Sequence, residues 1–376
     1  MEELLAASAE TAMNEICRRA VREGASDVHI EPGPEAVRVR FRRDGAMEER
    51  FRLRRSMAEK LAVRCKVMGR MNVAESRTPQ DGSAVFSEGG EDYDLRLSVL
   101  PSLYGETIAV RILSGRVPFI EQNELGMLPV QEAAFRRCLS GRSGLILTTG
   151  PTGSGKTSTL YAALRLLNRP EVNIISVEDP VEYRIPGVTQ VAVNEKAGLT
   201  FAAGLRALVR QDPDILMVGE IRDRETAEMA VHAALTGHLV LSTLHTNNAS
   251  QAPLRLADMG VAPYLIAASL SLVMSQRLVR RLCPQCRRPA PEGFAADGCE
   301  ACGGTGRKGR TGVFELLEIT DAVRAMLRDM APPEALREAM KRAGQPDLAD
   351  AARLAASAGR IAASDARWIA GEADEL

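Results

Sequence analysis

The stretch that most constrains this chain is GPTGSGKTSTLYA, residues 150–162. Gly150, Gly155, Lys156 and Thr157 fit G-x-x-x-x-G-K-[ST], with Gly153 as a third glycine inside the loop. Glycines at this spacing let consecutive backbone N–H groups turn inward toward phosphate oxygens at a helix N-terminus. Pro151, Thr152, Ser154 and Ser158 complete the cradle, Lys156 would meet the β- and γ-phosphates, and the Thr157 hydroxyl would help hold Mg²⁺. Such a loop requires a strand before it and a helix after it. Leu145, Ile146 and Leu147 precede it, and Leu160, Leu164 and Leu167 follow at helical spacing.

The remainder of the chain divides by rhythm. Leu5, Ala9, Ala12, Ile16 and Ala20 mark an amphipathic helix stopped by Gly24. The period then falls to two: Val37, Val39 and Phe41 alternate with Arg38, Arg40 and Arg42, and Asp44-Gly45 supplies a hairpin turn. Ser56 and Glu59 read as a capping box for a helix running to about Gly69. Two later strands place Tyr93, Leu95, Leu97 and Val99, then Ile108, Val110 and Ile112, on a buried face, with Arg96 and Arg111 on the other. Alternation alone makes those arginines solvated. The expected first domain is thus α+β over 1–113, followed by a linker at 114–125.

From about residue 126 apolar runs recur at GLILTT, VNIISV, DILMV and HLVLST with helical segments between them, the pattern of a parallel sheet covered by helices. The expected α/β nucleotide-binding core spans 126–276, with a cysteine module at 277–312 and a helical region at 313–376. Pro332 and Pro333 interrupt that last, Ala-rich part.

Charge bounds the partners. Lys+Arg number 48 against 49 Asp+Glu, so no global basic field draws the chain to nucleic acid or anionic lipid. No apolar run approaches the ~18 residues of a membrane span, and the start MEELL lacks a basic signal-peptide region, so a cytoplasmic location is expected. Cys17, Cys65 and Cys138 are scattered, while Cys283, Cys286, Cys299 and Cys302 form two CxxC pairs. Two such knuckles can close a tetrahedral thiolate site, for which zinc is the default metal, and a four-cysteine site leaves no open position for a substrate.

Candidate chemistry gathers at the ends of the apolar runs. SVEDPVEY puts Glu178, Asp179 and Glu182 beyond a strand terminus, either to orient and deprotonate an attacking water or to cap the next helix. DILMVGEIRD resembles a Walker B strand in which Gly219 precedes the acid, leaving Glu220 to orient Mg²⁺ or water. Arg222 would neutralise phosphate charge or pair with Asp223. His238 and His245 stand at the two ends of the fourth run. His245, past the carboxyl end, could sense phosphate or bond a catalytic acid, whereas position favours a structural role for His238.

Together these blocks resemble the type II secretion and type IV pilus assembly ATPases. The likeness runs from Ala25 to Leu317 through ASDVHIEP, ESRTPQDG, LPSLYGET, GPTGSGKTSTLY, VEDPVEY, LVRQDPDI, VGEIRD, TGHLVLSTLHTN, QRLVRRLCPQC and GRTGVFELLEI. The resemblance implies a PAS-like domain before a RecA-like P-loop ATPase domain, with a four-Cys zinc insertion and a helical C-terminus. It implies ATP, Mg²⁺ and Zn²⁺ as bound species, and a homohexameric ring peripheral to the inner membrane. That ring would work with membrane-platform proteins, touching the bilayer only indirectly and binding no nucleic acid. By position, Glu182 resembles the catalytic base, Glu178 and Asp179 its Asp-box companions, Glu220 the atypical Walker B glutamate, and His238 and His245 the His box. Arg96 and Arg111 match arginines that reach the nucleotide phosphates, which reverses the solvated reading. Relatives of this kind carry a further N-terminal domain, so a short form is expected. The retraction motors of the same superfamily carry AIRAGE and lack the four cysteines; MSQRLVRRLCPQC here favours an assembly motor. A RecA-like nucleic-acid translocase with a zinc ribbon and a nonenzymatic scaffold are the other classes, and 4% aromatic residues with a net charge of −1 count against the first.

Overall fold

Alternating burial in the first third folds as it reads. The computed structural model describes residues 8–114, 125–291 and 293–372, so the expected start of the first helix and nearly all of the expected linker lie outside the described residues. The chain forms two compact units, Met1–Pro118 and Phe119–Leu376.

In the first unit, Ser8 caps helix Ala9–Arg22 by accepting from the Thr11 N–H, and Ala12, Met13, Ile16, Cys17 and Ala20 are its buried stripe. Six antiparallel strands follow: β1 Asp27–Pro32, β2 Ala36–Arg43, β3 Ala46–Arg54, β4 Gln80–Glu88, β5 Glu91–Ser102 and β6 Gly105–Ser114, in the order β3-β2-β1-β6-β5-β4. Asp44 and Gly45 both take positive φ, 49° and 87°, as the tight β2–β3 hairpin requires. One face of the sheet packs Val28, Ile30, Val37, Val39, Leu95, Leu97, Val99, Ile108 and Val110 into a core with the Ala9–Arg22 and Met57–Met68 helices.

One expectation changes here, and one strand is added. The capping box at Ser56 does not form, because Ser56 already has helical dihedrals (φ −62°, ψ −10°) and its side chain makes no cap hydrogen bond. Effective caps sit in the β region, which aims the side chain back over the first turn. Strand β4 carries no clear apolar alternation because it is an edge strand: Val85 is exposed, and only Ala84 and Phe86 lean on the core.

The second unit holds a seven-stranded sheet in the order β15-β12-β7-β11-β10-β8-β9. Its strands are β7 Gly144–Thr149, β8 Ile174–Glu178, β9 Thr189–Ala192, β10 Ile215–Val218, β11 Leu239–Leu244, β12 Leu270–Leu282 and β15 Arg307–Glu318; β13 Arg287–Ala290 and β14 Gly293–Ala296 form a separate small hairpin. Every residue of β7, β8, β10 and β11 is buried, because helices cover both faces of the parallel sheet. The expected boundary at 276/277 falls inside β12, which pairs in parallel with β7 and antiparallel with β15. The helical region therefore begins after Glu318, with helices Asp321–Arg328, Pro333–Arg342, Leu348–Ser357 and Ala363–Ala370. Pro333 opens one of them at a position where the missing N–H costs nothing.

Candidate nucleotide and metal sites

The phosphate loop leaves the carboxyl end of β7 and enters helix Lys156–Leu167. Gly150, Gly153 and Gly155 take φ of +141°, +78° and +87°, backbone conformations that favour glycine at all three positions. Lys156 donates to the carbonyls of Gly150 at 2.8 Å and Pro151 at 3.0 Å. Burial lowers its pKa, the nearby Arg277 adds to that and Glu220 opposes it. Pro151, Thr152 and Thr157 are exposed, Ser158 is half-buried, and Ser154 is buried.

Two residues outside the motif, Gln276 and Arg277, lie beside this loop. Gln276, on β12 and 2% exposed, accepts a hydrogen bond from the Thr159 hydroxyl at 2.8 Å. A Cβ on Gly150 would lie 2.5 Å from the Gln276 carbonyl oxygen, and one on Gly155 would lie 2.8 Å from its amide nitrogen. Arg277 donates to the Asn247 carbonyl at 2.9 Å and to the Gln276 carbonyl at 3.2 Å. The available signal was a Ser-Gln-Arg triplet in the middle of an otherwise apolar run.

Parallel strands bring the other candidates to the same sheet edge, each just past a carboxyl terminus. Glu220 follows β10 and accepts from Arg222 at 2.5 Å, while His245, just past β11, has its Nε2 3.5 Å from the other carboxylate oxygen. Burial pushes the Glu220 pKa up, but Arg222, His245 and Lys156 outweigh it and hold the carboxyl below its ordinary value. Arg222 also comes within 4.0 Å of Asp179. It does not pair with Asp223, which instead caps helix Arg224–Leu235 by accepting from the Thr226 N–H at 2.8 Å. A cavity of 580 Å³ opens beside the loop, lined by Gly150, Thr152, His245, Asn247 and Arg255 among others.

Not all candidates meet there. Glu178 points inward: it is 2% exposed and accepts from Ser176 at 2.6 Å, from Gln190 at 3.0 Å and from the Tyr161 hydroxyl. Glu182 is half-buried, and its backbone N–H donates to that same Tyr161 hydroxyl at 3.2 Å. His238 precedes β11, at the opposite end from His245, where its Nδ1 lies 3.0 Å from the Ala233 carbonyl. Arg96 and Arg111, in the first unit, are direct cross-strand partners on the sheet face away from the helices. Arg111 donates to Asp27 at 3.0 Å, and both arginines line a 620 Å³ cavity with Asp27, His29 and Asp81.

The four clustered cysteines converge. Their sulfurs lie within 4.8 Å of one another, at 3.8 Å for Cys283–Cys299, 3.9 Å for Cys286–Cys302 and 3.8 Å for Cys299–Cys302. A Zn²⁺ bound by four thiolates at about 2.3 Å sets its sulfurs about 3.8 Å apart, so the donor set fits that ion. The N–H groups of Cys299 and Gly306 point at the Cys302 sulfur, at 3.1 and 3.2 Å, as outer-shell support for thiolate charge.

Among the described residues no helix is long and apolar enough to cross a membrane. A family model described as "Type II/IV secretion system protein" matches residues 2–367. The chain is 47% identical to the type II secretion system protein HxcR of Pseudomonas aeruginosa over 88% of its own length and 71% of that protein. It is 44% identical to the type II secretion system ATPase E of Vibrio cholerae over 90% of its length and 70% of that protein. Among solved structures it resembles the pilus retraction motor PilT with bound ADP, at a TM-score of 0.68 and 29% identity, covering 95% of this chain and 96% of that one. The chain belongs to the type II/IV secretion system protein family.

Proposed function

We propose that this chain is an ATP-hydrolysing motor that powers assembly of a type II secretion pseudopilus or a type IV pilus at the inner membrane. The observation that supports this best is the line of charge past three neighbouring strand ends: Asp179, Arg222, Glu220 and His245, in successive contact on the sheet edge from which the phosphate loop leaves. Loop N–H groups and Lys156 would bind the phosphates. Glu220, kept ionised by its cationic neighbours, and the Thr157 hydroxyl are oxygen donors of the kind Mg²⁺ takes; that ion would supply charge neutralisation at the β- and γ-phosphates. Glu182 would take the proton of the attacking water. The first unit would serve as the PAS-like domain, with Arg96 and Arg111 answering to the γ-phosphate through charge-assisted bonds. Six such chains in a ring, docked on membrane-platform proteins, would convert hydrolysis into movement. The four cysteines would hold one structural zinc.

The test is a pair of variants. Lys156→Ala should abolish nucleotide binding, whereas Glu182→Gln should bind ATP and hydrolyse it at least about 100-fold more slowly, the usual scale for loss of a general base. Wild-type turnover by Lys156→Ala would sink the assignment, and unchanged hydrolysis by Glu182→Gln would move the base to another acid. The likeness to PilT supports a second reading, a retraction motor. A deletion strain that assembles filaments but cannot withdraw them would select it.

A further inference from the structure

Tyr161 lies five residues beyond Lys156 on the phosphate-loop helix, 2% exposed, and carries chemistry that the nucleotide site does not use directly. Its hydroxyl is engaged on both sides, by a carboxylate and by the backbone of the 182–183 turn. As a donor it reaches the Glu178 carboxylate, and as an acceptor it takes the backbone N–H of Glu182 at 3.2 Å. The opposite oxygen of Glu178 is occupied by Ser176 and Gln190, so Tyr161 is the only donor on its side of that carboxylate among the described residues. With its proton committed to Glu178, the hydroxyl turns a lone pair toward Glu182. Burial, followed by the Glu178 bond and charge, raises the phenol pKa, so it remains a donor throughout the physiological range. The ring is fixed as well, edge-on to Tyr183 with centroids 6.1 Å apart. Gln190 secures the rest of the turn by donating to the Tyr183 carbonyl at 3.0 Å and accepting from the Ile185 N–H at 2.7 Å.

We propose that Tyr161 is a positioning residue for hydrolysis: its hydroxyl fastens the backbone of Glu182 to the phosphate-loop helix, so that base and phosphates keep one relative placement. This rests on the reading of Glu182 as the base. The arrangement also gives Glu178 a task other than touching nucleotide: it fixes which way the hydroxyl points.

Tyr161→Phe removes the hydroxyl and keeps the ring. It should lower kcat by about 10- to 100-fold, the range for losing a hydrogen bond to a charged group, while affinity for a nonhydrolysable ATP analogue stays within about twofold. In a Glu182→Gln background the same change should cost less than about twofold, because residues acting as one unit are not additive. Residue-resolved hydrogen exchange should show the Glu182 amide losing protection while strand β7 keeps it. An undiminished kcat, an equal loss in both backgrounds, or an unchanged Glu182 amide would each overturn the proposal. If Glu182→Gln itself turns over normally, the base assignment fails, and that is seen in a variant with Tyr161 intact.

Discussion

Gln276→Leu isolates the contribution of β12 to the phosphate loop. The two side chains are close in volume, so the cavity cost is small, and the loss is the 2.8 Å bond from Thr159, which is itself fully buried. A neutral hydrogen bond is worth about 1 kcal/mol net, and stranding a buried hydroxyl costs about 1–3 kcal/mol more. Thr159 gets partial relief, since a helical hydroxyl can turn back to the carbonyl four residues earlier, here Gly155, at the cost of straining that turn, so about 2 kcal/mol is expected. Because that energy holds the first turn of the helix in its phosphate-ready form, most of it should appear in binding, as a fall of about 10-fold in affinity for a fluorescent ATP analogue, on the basis that 1.4 kcal/mol is a factor of ten. Replacing both partners with apolar groups removes the stranded hydroxyl, so Gln276→Leu combined with Thr159→Val should recover most of the affinity. A double variant no better than Gln276→Leu, or a single variant within twofold of wild type, would refute the reasoning.

Two further outcomes follow from the site and the fold. Elemental assay should find one zinc per chain, and Cys302→Ser should lower that stoichiometry and make the ion removable by mild chelation; full occupancy in the variant would refute the four-thiolate site. In the first unit Lys66, 1% exposed, pairs with Glu106 at 2.7 Å and donates to the Glu75 carbonyl at 2.6 Å. Lys66→Met strands that carboxylate and should cost about 3–5 kcal/mol, lowering the first unit's melting by on the order of 10 °C or more, whereas Lys66→Met with Glu106→Leu should recover most of it.

What could be read from the chain was what depends on near neighbours. Buried strands of a parallel sheet announce themselves as unbroken apolar runs, which is why β7, β8, β10 and β11 were visible, and the glycine spacing marked the loop between β7 and its helix. Strands β12 and β15 were missed because Ser275, Gln276 and Arg277 interrupt one, and Arg307, Lys308 and Arg310 open the other. What makes Gln276 a core residue is its contact with Thr159, more than a hundred positions earlier. Glu178 shows the same limit: its place at a strand end was legible, but its inward turn is decided by Tyr161 on another element. The opposite placements of His238 and His245 needed only the length of β11.

The closeness of β12 to the loop bears on how the motif should be interpreted. Gly150 would drive a side chain into the Gln276 backbone, and Gly155 would meet its amide, whether or not a phosphate ever binds. Gly150 is therefore under a packing requirement as well as a chemical one, and Gly155 is held to glycine by its φ of +87° rather than by the mobile amide it would meet. A duplicated copy of this chain that had lost all affinity for ATP would still be held to both, while Lys156 would be free to drift; in such a lineage the lysine, not the glycines, would report whether the motor still runs.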